Sequence, residues 1–220
     1  MPFITISPDA HRSVASGEEH IPTLYYSDSW LIRTFFWMRL RLVWRVLMRT
    51  RKARGACLDF GGGGGALLPT LATGFSEVVC ADRETKEAES IVRMHRLGNV
   101  HILNCDLLTT DFEGKTFDGI VAADVLEHFQ NLKPPVDAIL RALGPHGVLV
   151  TSLPTENWLY VALRAVFRIT KPEDHYHTAA EVERYLTSRG FVPLRRLYVP
   201  LWIRAFPLFR ITGWRHGGDA

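Results

Sequence analysis

Five consecutive glycines, residues 61–65, lie between the apolar run ACLDF (56–60) and the apolar stretch ALLPTLAT (66–73). No other feature limits this chain's folding choices as strongly. A glycine run loses much conformational entropy on folding. It is explained when the backbone must turn sharply and a ligand must approach the main chain. A strand–glycine–helix order also presents the free N–H groups of a helix start. That geometry suits a nucleotide or nucleoside at the carboxyl end of a parallel strand. The run fits G-x-G-x-x-A at Gly61, Gly63 and Ala66. It equally fits D-x-G-x-G-x-G at Asp59, Gly61, Gly63 and Gly65. No Gly-Lys-Ser/Thr follows, so a phosphate loop is excluded.

The rest of the chain repeats the strand–helix order. Apolar runs at 56–60, 76–82, 99–106, 116–124 and 148–154 predict strands. The intervening segments 66–73, 83–98 and 133–147 predict helices, the second closed by Gly98 and the third by a Gly-Pro stop. The strands are continuous apolar runs, as expected when both faces are covered. Short connections in this order predict an α/β fold, doubly wound around a mostly parallel sheet with helices on both faces. At 220 residues with 47% hydrophobic content, one core can be buried without staples, which excludes disordered and fibrous classes. Three cysteines, Cys57, Cys80 and Cys105, fall in predicted strands and read as buried thiols in a reducing compartment. A net charge of +3 is too small for a global nucleic-acid-binding field, so nucleic acid is an unlikely partner. No secretory signal and no membrane span are expected, which places the protein in the cytoplasm.

An acid follows each early strand. Asp59 is in the first, Asp82 ends the second, Asp106 follows the third and Asp124 ends the fourth. All four should meet in one crevice at the upper sheet edge, where open α/β folds bind ligands. Asp82 stands 21 residues after Gly61, the distance at which an acid accepts hydrogen bonds from ribose hydroxyls.

The ordered set LDFGGGGG, CAD, NCDL and FDGIVAADVLEH resembles the motifs of class I S-adenosylmethionine-dependent methyltransferases. The resemblance covers residues 56–154 and continues to about 192 through DHYHTAAEVERYLTSRGF. It implies a Rossmann-like, seven-stranded sheet whose last strand is antiparallel, with 191–199 and 201–214 as the closing hairpin. It implies S-adenosyl-L-methionine as cofactor. Asp59, Gly61, Gly63 and Gly65 would border its methionine part, and Asp82 would take the ribose diol. Asp106 and the Leu107 main chain would meet the adenine, and Ala123 and Asp124 would line the wall. Gly62 and Gly64 depart from the family's usual side chains, which suggests a more mobile loop.

Methyl transfer to oxygen or nitrogen can require removal of a proton. His128, His175 and His177 are the candidate bases, since imidazole titrates near neutral pH. Thr178 and Glu181 after them form a predicted capping box. Metal is not expected, although Asp124, Glu127 and His128 share one helix face and with His175 or His177 could hold a divalent cation. A nicotinamide-dependent oxidoreductase is the alternative enzyme, but the chain lacks a recognisable hydride-transfer pair. A catalytically silent scaffold with the same fold is the third reading.

Residues 1–52 are expected to be a leader followed by a basic amphipathic helix at 30–52, preceding a methyltransferase domain at 53–220. Arg41, Arg45, Arg49 and Lys52 cluster on one face of that helix. Phe35, Phe36, Leu40, Val43, Val46 and Leu47 lie opposite. Such a helix can pack on the sheet, or lie in an anionic membrane surface at the inner membrane face. The apolar tail 198–215, with Trp158 and Tyr160, could line a pocket for an amphiphilic or lipid-linked acceptor, methylated at oxygen.

Overall fold

The computed structural model describes residues 1–14, 23–155, 175–200 and 207–219. Among these residues there are seven strands: β1 (Ala56–Phe60), β2 (Glu77–Asp82), β3 (Val100–Asn104), β4 (Phe117–Ala123), β5 (Leu143–Pro154), β6 (Phe191–Val199) and β7 (Phe209–His216). The helices are α1 (Pro8–Val14), α2 (Trp30–Thr50), α3 (Leu68–Gly74), α4 (Lys86–His95), α5 (Lys133–Ala142) and α6 (Ala179–Ser188). The strands form one sheet in the order β3-β2-β1-β4-β5-β7-β6. The first five run parallel. Strand β7 inserts antiparallel between β5 and β6. This is the Rossmann-like, doubly wound sheet with an antiparallel last strand.

Alternating side chains feed two cores, one on each face. Cys57, Val78, Cys80, Val121 and Val150 point to the face covered by α2, α3 and α4. Leu58, Phe60, Ile120 and Leu149 point to the face covered by α5 and α6. The capping box of α6 forms as expected, with the Thr178 hydroxyl accepting from the Glu181 N–H and the Glu181 carboxylate accepting from the Thr178 N–H. Glu183 then ties α6 to the closing hairpin. Its carboxylate accepts from Arg196 (3.0 Å), Arg210 (2.7 Å) and the Thr212 hydroxyl (2.7 Å).

Helix α2 lies across β4, β5, β6 and β7. Val43, Val46 and Leu47 are completely buried there, and Trp37, Leu40 and Trp44 nearly so. Each such aliphatic burial contributes roughly 1.5–3 kcal/mol before ordering costs. Of the two arrangements expected for this apolar face, the helix takes the first and packs it on the sheet. Arg41, Arg45 and Arg49 remain exposed on the other side. Among the described residues, no helix is long and apolar enough to cross a membrane.

Two helix ends differ from expectation. Helix α4 closes at Arg96, which takes a left-handed conformation (φ 53°), two residues before Gly98. Helix α5 ends at Ala142, and the Gly-Pro expected to stop it lies in the first part of β5. Backbone pairing of Leu143 with Phe117 draws that segment into the sheet. Trp158, Tyr160 and the beginning of the apolar 201–214 segment lie outside the described residues.

Candidate active site

The chain leaves β1 into the glycine loop at the carboxyl edge of the sheet. Gly61 has φ 71°, and a Cβ there would come within 2.3 Å of a Val125 methyl group. Only glycine meets both conditions. Gly62 is confined as well: a Cβ would approach Cys80 Sγ to 2.6 Å and an Asp59 oxygen to 2.9 Å. The expectation of extra mobility from a bare residue 62 is thus corrected, because close packing, not free space, explains its lack of a side chain. The Gly63 N–H donates to Asp82 Oδ2 at 2.8 Å, and the Glu84 N–H donates to the other oxygen at 3.1 Å. The loop and the acid ending β2 are therefore locked to one another.

A cavity of about 600 Å³ opens beside this loop. That is within the range of small-molecule and cofactor sites. Asp59, Gly61, Gly63, Asp82, Leu107, Ala123, Asp124 and His128 all line it, together with Gly62 and Gly64. Gly65 and Asp106 do not. Gly65 faces Leu68 and Ala88. Asp106 accepts from Arg83 Nη2 (2.7 Å) and the Leu108 N–H (2.9 Å), and both of those residues line the cavity in its place. The Leu108 N–H and then Arg83 hold the Asp106 carboxyl below its ordinary range.

Asp59 is 4% exposed. Burial, and then the nearby Asp82 carboxylate, raise its pKa to about 7. A buried acid facing a cavity with a second acid beside it is a receptor for positive charge.

The opposite wall holds a residue the sequence reading passed over. Arg39 of α2 is 3% exposed and pairs with Asp124, the first residue after β4. It also donates to the Tyr25 hydroxyl. Its guanidinium lies 5.0 Å from the Phe209 ring centroid and 5.7 Å from that of Phe36. Asp124 itself is held in a left-handed conformation (φ 55°). Its N–H donates to the Ser152 carbonyl at 2.9 Å. Tyr25, Arg39, Leu40, Val125 and Phe129 line the cavity and were not foreseen. For Arg39 a signal existed: it falls at helical spacing among Phe36, Leu40 and Val43, so it is a cation on the face that packs inward.

The three candidate histidines separate. The His128 and His175 rings meet edge to face with centroids 4.6 Å apart. A donor atom of each lies within 4.8 Å of the others and of a carboxylate oxygen of Glu127, which is fully buried. The Tyr176 N–H donates to the Glu127 carbonyl at 2.9 Å, fastening this segment to the turn after β4. His177 instead turns away, its Nε2 3.2 Å from the Gln130 carbonyl. The donor set Glu127, His128 and His175 could hold a metal as two imidazoles and a carboxylate. Asp124, which shares their stretch of sequence, is not in that group and pairs with Arg39 instead.

The comparisons with known proteins agree with this geometry. A family model described as a methyltransferase domain matches residues 36–195. No match is found among curated proteins. Solved structures share the fold at low identity. The N-methyltransferase NodS from Bradyrhizobium japonicum WM9, in complex with S-adenosyl-L-homocysteine, is 17% identical with a TM-score of 0.67, covering 94% of this chain and 98% of that one. The magnesium protoporphyrin IX methyltransferase ChlM from Synechocystis PCC 6803, with bound S-adenosylhomocysteine, is 16% identical with a TM-score of 0.66, covering 91% and 94%. An S-adenosylmethionine-dependent methyltransferase from Clostridium acetobutylicum ATCC 824 is 15% identical with a TM-score of 0.66, covering 81% and 91%. With the family model spanning well over half of the sequence, the chain belongs to the methyltransferase-domain family.

Proposed function

We propose that this protein is a methyltransferase that uses S-adenosylmethionine and methylates a small-molecule acceptor at a hydroxyl oxygen. One observation carries the reading: bare glycine backbone, Asp59 and Asp82 line one cavity that also contains His128. The donor set matches the cofactor's chemistry. Asp82 faces the cavity with oxygens able to accept from a ribose diol, and Asp59 is an acceptor for a cationic ammonium. Asp106 supports the site indirectly, by fixing Arg83 and the Leu108 main chain. S-adenosylmethionine, when bound, supplies a methyl group on a cationic sulfur that a nucleophile displaces in line.

The chain's own groups then have three tasks. The glycine loop and Asp82 hold the nucleoside. Arg39 and Asp124 shape the wall toward α2, with Tyr25 closing over the guanidinium. His128 removes the proton of an acceptor hydroxyl, and Glu127 and His175 position its ring. The two related structures whose names state an acceptor or atom act on nitrogen and on a porphyrin, respectively. The hydroxyl acceptor rests on His128, which lines the cavity with the His175 ring packed against it.

Calorimetry with S-adenosylhomocysteine and with NAD is the test. Binding of the first alone is the expected result. Binding of NAD alone would replace this reading with the oxidoreductase one. Binding of neither would leave a silent scaffold. With the cofactor established, transfer of a labelled methyl group to small molecules of a cell extract identifies the acceptor, and acid-stable N-methyl products would overturn the oxygen assignment.

A further inference from the structure

A second hollow of about 330 Å³ lies at the opposite, amino-terminal edge of the sheet. It forms where the end of α2, the start of β5, the start of β6 and the end of β7 come together. Arg49 enters it from α2, Lys52 from the segment just after that helix, Arg195 from β6 and Arg215 from β7. Thr50, His146 of β5 and His216 of β7 complete the polar lining, which among the described residues contains no carboxylate. Arg39 and Arg49 are ten residues apart on α2, so roughly 15 Å of helix separates this hollow from the cofactor cavity.

The four cations are not used by the fold. Among the described residues, none of the side chains of Arg49, Lys52, Arg195 and Arg215 makes a hydrogen bond or ion pair. The contrast with the neighbouring Arg196 and Arg210 is direct, since both are held by Glu183. His216 is anchored: its Nε2 lies 3.2 Å from the Arg189 carbonyl, and its Nδ1 accepts from the Gly218 N–H. Four like charges gathered from α2, the segment after it, β6 and β7 around one concavity repel each other, and an anion between them relieves that repulsion. Arginine forks match the oxygens of a phosphate group, and a concave site admits a compact ligand.

We propose that this hollow is a binding site for a multiply charged phosphate group, separate from the cofactor cavity. A soluble phosphorylated molecule and a phospholipid headgroup offer the same chemistry.

The test uses the full chain and inorganic pyrophosphate as probe, measured by calorimetry at low salt. The expected result is binding that weakens as salt rises. In an Arg195→Glu, Arg215→Glu double variant it should weaken by at least about tenfold, the scale for losing a hydrogen-bonded charge. S-adenosylhomocysteine affinity of that variant should match wild type, which also reports that it folds. A second arm uses vesicles with and without phosphatidic acid. Pyrophosphate binding alone identifies a soluble ligand, and co-sedimentation confined to phosphatidic-acid vesicles identifies a headgroup. Either supports the site when the double variant loses it. Absence of binding in both arms, or equal binding by the double variant, overturns the proposal.

Discussion

Arg39 of α2 pairs with Asp124 at the carboxyl end of β4, inside the cavity that also holds Asp59 and Asp82. The pair joins a helix that precedes the strand–helix series to the strand end where the ligand is expected. It also gives the left-handed Asp124 a fixed partner, and such backbone strain persists only where surroundings over-determine it.

Removing one member of this pair should cost more than removing both. Arg39→Met leaves the Asp124 carboxylate, about a quarter exposed, without its cation. A loss of about 3 kcal/mol in urea unfolding is expected, near the lower end for breaking a buried pair because Asp124 retains some solvent. The Arg39→Met, Asp124→Asn double variant should recover part of that loss. A double-mutant cycle with a coupling energy below about 0.5 kcal/mol would show that the pair does not act as a unit.

Asp59 should make ligand binding depend on pH. With its pKa raised to about 7 by burial and by Asp82, it is largely protonated in mildly acidic solution. A cationic ligand favours the ionised form. Affinity for S-adenosylhomocysteine, which carries an ammonium group, should therefore rise up to about tenfold from about pH 6 to about pH 8. Asp59→Asn should abolish the rise. The stability effect has the opposite direction. A carboxyl with a raised folded pKa contributes fully below its ordinary value of 3.8 and loses that contribution as pH climbs through about 7. Ligand-free Asp59→Asn should thus melt higher than wild type above neutrality.

His11 gives the N-terminal segment an acid sensitivity. Its ring is completely buried, stacked on Trp37 with centroids 5.5 Å apart. Burial first, then His95, lowers its pKa from 6.5 to about 4. A neutral imidazole stabilises this packing above the ordinary pKa, and the contribution is lost as pH falls toward about 4. Tryptophan fluorescence should report loosening in that window, and His11→Phe should lack it.

The strand–glycine–helix order and the lining positions of Asp59, Asp82, Ala123 and Asp124 were legible because each depends on local order. A glycine run, an apolar strand and the acid that ends it are adjacent in sequence. Arg39 and Tyr25 were missed because their role arises from how α2 lies on the sheet, a contact between distant segments. The same applies to β5: the Gly-Pro at 144–145 carries a strong local stop signal, yet pairing with β4 decides its conformation. Asp106 was assigned directly to ligand contact from its place after β3. Its two close partners, Arg83 and the Leu108 N–H, are set by side-chain and turn geometry that spacing does not encode.

His128 should separate binding from chemistry. Once an acceptor is identified, His128→Ala should lower kcat by about 10²–10⁴, the range for a positioned acid–base group. S-adenosylhomocysteine affinity should change little. Glu127→Gln should shift the pH profile of kcat rather than remove activity, as a positioning residue does.

Titration of S-adenosylhomocysteine into wild type and Asp82→Ala bears most directly on the cofactor site. One Asp82 oxygen is held by the Gly63 N–H while the residue faces the cavity. The expected result is tight binding by wild type, weakened in the variant by about 1–3 kcal/mol, as for a lost hydrogen bond to a charged group. Equal affinities in the two proteins, or no binding to wild type, would contradict a nucleoside held between the five-glycine turn and the acid that ends β2.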